Sequence, residues 1–184
     1  MKNVLSSANG CNKQTFTSAL IFSVMILGVS ILASCKKDDA SDPVIGRYTG
    51  LTSQTVSELQ IARTATDRYK NIQNAITDGY ADISVVVAQM GHHYMKSAYV
   101  DDKFEVNKPE ILVYDKKEDG SFELVAVEYA IPLNLSTEAP AGFTGNSDVW
   151  DRNTGFGLWL LHAWVYTYNS SGVFNPTNPA VHTH

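Results

Sequence analysis

Four side chains of this 184-residue sequence have the types and settings to do chemistry: His92, His93, Glu128 and His162. Glu128 stands in the run 121–131 (SFELVAVEYAI). On a strand, Phe122, Leu124, Ala126 and Ala130 would share its face, and Val125, Val127 and Tyr129 the other. Both faces are apolar near it, so its carboxyl is expected to be at least half buried. A buried carboxylate needs a cation, a metal or several hydrogen-bond donors. His162 poses the same problem among Leu158, Leu160, Trp164 and Tyr166. His92 and His93 follow an apolar run in Met90-Gly91-His92-His93-Tyr94, at a strand end where ligands and catalytic side chains are common. Imidazoles with a carboxylate suit a divalent ion, namely zinc, iron, manganese or copper, and an open position would allow catalysis. The same groups also suit a metal-free acid–base pair with the glutamate orienting a histidine. A third option is purely structural, with hydrogen-bonded core histidines and Glu128 paired to Arg152 or to backbone donors. Gly-rich phosphate loops, G-x-S-x-G, H-E-x-x-H and EF-hand loops are all absent.

The elements that must position these residues read as α+β. Thr55-Val56-Ser57-Glu58 has the spacing of a capping box. Ala62, Ala65, Tyr69, Ile72 and Ile76 then recur at steps of three and four, predicting one long helix from Val56 to Asp78 that stops at Gly79. Strands are predicted over 83–88, 110–116, 121–131 and 158–168, with Lys117-Glu118-Asp119-Gly120 as a hairpin turn. The expected architecture is one long N-terminal helix packed on an antiparallel sheet of about four strands, in a single domain. The connection 132–157 is long and carries Phe143, Trp150 and Phe156, so it is expected to be ordered and to cover a site. Asn175-Pro176 and Asn178-Pro179 predict turns in the tail. His182 and His184 alternate at the end of the chain, where a frayed terminus is the expectation.

The N-terminal segment has a different character. Lys2 and Lys13 are its only charges, residues 17–33 (TSALIFSVMILGVSILA) are apolar, and Leu32-Ala33-Ser34-Cys35 closes the run. This pattern resembles a bacterial lipoprotein signal. The resemblance implies cleavage before Cys35, acylation of its sulfur and amine, and a lipid anchor in the cell envelope. An uncleaved membrane helix is the alternative, because about 20 apolar residues span a bilayer. Lys36-Lys37-Asp38-Asp39 resembles the surface-export signal of lipoproteins in the Bacteroidota, which implies the outer membrane and its outer face. The expected division is a signal peptide at 1–34, a lipidated cysteine and flexible tether at 35–55, and one α+β domain at 56–184. After residue 34 the remaining 150 residues carry 12 basic and 19 acidic side chains, a net charge of −7. That balance argues against nucleic acid as a partner. Cys11 leaves with the signal and Cys35 is the anchor, so the domain has no internal disulfide and no thiolate metal site.

Met90-Gly91-His92-His93-Tyr94, Leu124-Val125-Ala126-Val127-Glu128-Tyr129, Leu161-His162-Ala163-Trp164-Val165 and the Asn-Pro-rich end together resemble a family of uncharacterised exported bacterial proteins. Its members share M-G-x-H-Y, V-E-Y and L-H-x-W stretches, and the likeness spans roughly residues 65–181. The chain departs from the pattern at Ser170, where an Asn-Pro pair is expected. The resemblance implies that His93 rather than His92 is the relevant histidine, and that His93, Glu128, Tyr129, His162 and Trp164 form one motif set. It implies no activity. The leading reading is a polar site of His93, Glu128 and His162 under the 132–157 loop. In its metal form the two histidines are nitrogen ligands and Glu128 is an oxygen ligand or general base. The alternatives are a module that binds a small molecule in a helix-on-sheet cavity lined by Tyr129, Trp159 and Trp164, and a structural envelope protein with no catalytic site.

Overall fold

A computed structural model describes residues 43–182. The expected signal peptide, Cys35 and the first part of the tether lie outside the described residues, as does His184. Residues 45–52, expected as the end of a tether, pack onto the domain. Ile45 is fully buried, and the Tyr48 hydroxyl donates to the Trp164 carbonyl and accepts the Asn169 N–H.

The single long helix is corrected to two shorter ones. Helix α1 (Ser53–Thr66) is followed by a 3-10 turn (Asp67–Lys70) and then α2 (Ile72–Thr77). Its start lies a turn earlier than the capping-box spacing suggests. Thr52 is the N-cap, and its hydroxyl accepts the Thr55 N–H at 3.0 Å. Glu58 reaches instead to the N–H and hydroxyl of Thr144, both at 2.7 Å, and ties down the long loop. The break has a local cause at Asn71. Its backbone is extended (ψ 106) and its side chain accepts the Gln73 N–H, so it starts a new helix rather than continuing the old one.

The sheet is also corrected, from about four strands to six. They are β1 (Ala81–Val87), β2 (Gly91–Met95), β3 (Ile111–Lys116), β4 (Phe122–Pro132), β5 (Asp151–Asn153) and β6 (Leu158–Ala163). Their order is β1-β2-β3-β4-β6-β5, with every neighbouring pair antiparallel. Two of them were not expected. The β2 run Gly91-His92-His93-Tyr94-Met95 lacks the β-branched residues that mark a strand, and β5 has three polar residues inside the long loop. β6 stops at Ala163 rather than continuing to Tyr168. There the Val165 N–H turns back to the Ala163 carbonyl, and the Trp164 N–H bonds to Val173 in the tail.

The sheet separates two cores. On one face Leu112, Tyr114, Leu124, Val127, Tyr129 and Leu161 pack against Leu59, Ala62 and Ala75 of the helices. On the other, Ile111, Val113, Ala126 and Ala130 pack with Trp164 and Val181. A bulge between β3 and β4 sets this division. Val113 pairs with Ala126 and Tyr114 with Leu124, so Val125 is the extra residue. The bulge moves Leu124 to the helix face, opposite Glu128, where uninterrupted alternation had placed the two together.

Gly91 fixes the start of β2. Its φ is +117, and a Cβ there would stand 2.4 Å from the Tyr114 carbonyl oxygen of the neighbouring strand. Gly91→Ala therefore combines backbone strain with a clash and is expected to cost about 2–4 kcal/mol. Gly157 also has positive φ (+70) but has open space around its Cβ position. Gly157→Ala is expected to cost about 1–2 kcal/mol. Urea unfolding midpoints of the two variants check the difference.

Candidate metal centre

The strand register brings the three predicted residues together on the sheet face opposite the helices. Glu128 on β4 pairs directly with His162 on β6. His93 on β2 pairs with Val113 on β3, which pairs with Ala126 on β4. His93 thus reaches over β3 to the next position along β4. Its Nε2 lies 3.6 Å from Glu128 Oε2, and His162 Nδ1 lies 3.3 Å from Glu128 Oε1. All three residues are buried, at 4 %, 1 % and 3 % exposure for His93, Glu128 and His162. Each offers one ligand atom, and these atoms lie within 4.8 Å of one another. Among the described residues this is the one His/Cys/Asp/Glu group with that convergence. Metal–ligand bonds of about 2.0–2.2 Å put ligand atoms roughly 3.3 Å apart in a tetrahedral shell, close to the two His–Glu separations and about 1.5 Å less than the widest separation of the three atoms.

Backbone geometry at β1 holds His93 in a ligand's tautomer. Asp82 pairs with Tyr94 and Val86 with His92, so Ile83, Ser84 and Val85 together face the single residue His93. Ser84 takes a left-handed backbone (φ 57) and its N–H donates to Asp82 Oδ1 at 2.7 Å. The irregularity accompanies a Val85 carbonyl that accepts from His93 Nδ1 at 3.0 Å. With the proton fixed on Nδ1, the Nε2 lone pair faces Glu128. A backbone carbonyl on one imidazole nitrogen, with the other nitrogen free, is the usual outer arrangement of a metal-bound histidine. The His162 ring stacks on the Trp164 indole, with centroids 5.8 Å apart at 14°. Trp164 is held in turn by its Nε1–H donating to the Asn175 carbonyl at 2.6 Å.

The cluster is poorly satisfied by the protein itself. Glu128 Oε2 and His162 Nε2 are buried with no hydrogen-bond partner. Leaving each such atom unpaired costs about 1–3 kcal/mol. Burial pushes the Glu128 carboxyl up to about 8, with Asp151 and Glu110 adding to the effect. Burial pushes His162 down to about 3, helped by His93, and lowers His93 as well. The short His–Glu distances have the form of ion pairs, yet desolvation disfavours both charges. Without a metal, burial therefore favours a carboxylic acid beside two neutral imidazoles below about pH 8.

The trio forms the polar floor of a cavity of about 190 Å³ whose walls are aliphatic. Residues from both sheet edges line it, Val87 of β1 and Asp151 of β5 among them. Six flat strands would separate those edges by roughly 24 Å, so the sheet must curl around the floor. Only the end of the long loop reaches the cavity, through Asp151, Asn153 and Phe156. Phe143 and Trp150 of the same loop pack around Phe104 on the helix face. His92 points away from the cluster and meets the Phe122 ring edge-on. The cavity is not between helix and sheet, and Tyr129, Trp159 and Trp164 do not line it. The Tyr129 hydroxyl donates to the Val106 carbonyl and Trp159 Nε1–H to that of Ser136. Sequence reasoning missed Val85, which acts through a carbonyl that every residue carries, and Asp151, whose strand is too short to show a pattern, whereas Phe156 was among the loop aromatics expected to cover a site. No helix among the described residues is long and apolar enough to cross a membrane. Comparison with family models, curated proteins and solved structures gives no match, so function is argued from the site.

A second buried carboxyl, Glu110, accepts the Ala130 N–H at 3.0 Å. Burial pushes it up to about 8 as well. Both carboxyls therefore keep their protons in the folded chain at a pH where the unfolded chain has lost them. The stability they contribute is present below about pH 4.5 and is lost as pH rises through about 8. The lowered His93 and His162 act in the opposite sense and add stability as pH rises toward 6.5, so the net loss in metal-free protein is expected to be a few kcal/mol, concentrated between about pH 6.5 and 8. Glu110→Gln, which keeps an acceptor for Ala130, is expected to reduce that loss. Chemical denaturation across the pH range in the presence of a chelator measures both.

Proposed function

We propose that the domain binds one divalent metal ion through His93, Glu128 and His162, and that Cys35 anchors the chain to the cell envelope by lipid. The observation that carries the metal reading is the orientation of His93. The Val85 carbonyl holds its Nδ1 proton, which leaves Nε2 to converge with a buried carboxylate and a second imidazole. Two further observations support it. An ion would satisfy the unpaired Glu128 Oε2 or the unpaired His162 Nε2. It would also remove the need for a protonated buried carboxyl, since a bound cation favours the carboxylate. Two imidazoles and one carboxylate leave coordination positions for water or substrate, and the donor set suits zinc, iron, manganese or copper. A bound ion would supply Lewis acidity at the cavity floor.

Elemental analysis of the purified full chain is expected to find close to one metal per chain. The double variant His93→Ala, His162→Ala is expected to lose it. No metal in the wild type, even after incubation with each of the four ions, would overturn the reading.

The anchor rests on Leu32-Ala33-Ser34-Cys35 and the apolar run before it. Cells fed radiolabelled palmitate are expected to label the wild-type chain and not Cys35→Ala. The outer membrane and its outer face are the proposed location, from Lys36-Lys37-Asp38-Asp39. Protease added to intact cells is expected to degrade the wild-type domain and to spare it when the two aspartates are replaced by alanine.

A further inference from the structure

The cavity above the three ligands constrains what approaches the ion, an argument that rests on the metal reading. Its polar side chains are the three at the floor with Asp151 and Asn153 of the edge strand, and the rest of its wall is apolar, from Ile83, Met95, Ile111 and Leu160 among others. A dication held by one carboxylate and two neutral imidazoles keeps one positive charge in a buried setting, and that charge favours an anionic donor. Beyond the floor the one charged lining residue is Asp151, which is exposed at the edge strand. Among the described residues no cationic side chain lines the cavity, so a second negative group on the ligand would meet Asp151 unpaired. Size sets the last limit. An engineered apolar cavity of about 150 Å³ takes benzene, and this one measures about 190 Å³. It has room for one ring, or a short aliphatic chain, with a carboxylate attached. The rim is open, with Val87 36 % and Phe156 57 % exposed.

We propose that this cavity binds a small monocarboxylate with an apolar body the size of a single ring, its carboxylate completing the coordination of the ion held by His93, Glu128 and His162. The aliphatic walls take the body, and Asp151 excludes dicarboxylates at the outer end.

The test uses the full chain loaded with cobalt(II), read by its visible absorption bands. Benzoate is expected to shift the bands saturably. Acetate, which lacks the apolar body, is expected to bind at least tenfold more weakly. Terephthalate, a benzoate with a second carboxylate, is expected to bind at least tenfold more weakly than benzoate and to recover in Asp151→Asn. Cobalt bound at one per chain with bands that benzoate does not move would overturn the proposal while leaving the metal site standing. Equal affinity for acetate and benzoate would overturn it too, as would terephthalate binding as tightly as benzoate. Failure to bind cobalt at all would remove the metal reading and this inference together.

Discussion

The structure turns on one constraint, a carboxyl group buried between two imidazoles on an apolar sheet face. Glu128 is 1 % exposed, and among the described residues only the two imidazoles are placed to pair with it. In the absence of an ion, burial favours the protonated form of the group, and one of its oxygens still lacks a partner among the described residues. Such a site opposes folding, and the rest of the domain offsets it. The helix-side core, with Leu59, Leu112, Tyr114 and Leu161 fully buried, supplies the hydrophobic term. Division of labour between the two faces lets one sheet carry both a conventional core and a polar floor.

Two departures from regular strand pairing build that floor. The bulge at Val125 sends Leu124 to one face and Glu128 to the other, so the carboxyl faces the cavity while its neighbours brace the helices. The irregularity at 83–85 in β1 places an edge-strand carbonyl within reach of His93. Both devices act through the backbone. Bulges next to sites commonly re-aim side chains in this way. Curling of the sheet does the rest by bringing β1 and β5, five strand spacings apart in order, to the same small cavity. Tail residues close the back, since the Asn178 N–H bonds to the Gln89 carbonyl and Asn175 holds Trp164 behind His162.

The sequence foretold the parts of this arrangement that side-chain chemistry carries. An acid and a histidine inside apolar strands pointed to a buried polar cluster, and the β3–β4 hairpin appeared at the expected turn. What periodicity could not convey was facing. With apolar residues on both sides of β4, nothing distinguished the helix face from the cavity face, and the binding-module alternative put its cavity between helix and sheet. β2 was hidden because two histidines, a tyrosine and a methionine have no strand signature of their own, and pairing with β1 and β3 imposes one. The helix was expected to be continuous because apolar spacing survives across Asn71, although the backbone there breaks and restarts. Asp151 reached the cavity through a three-residue strand that only tertiary pairing defines.

X-ray absorption at the metal edge tests the central claim most directly, because it reads the ligand set around the ion. For the full chain loaded with one equivalent of zinc, the account predicts two imidazole nitrogens and a carboxylate oxygen at about 2.0–2.2 Å, with the imidazole scattering lost in His93→Ala, His162→Ala. A first shell of oxygens alone, or imidazole scattering unchanged in that variant, would contradict it.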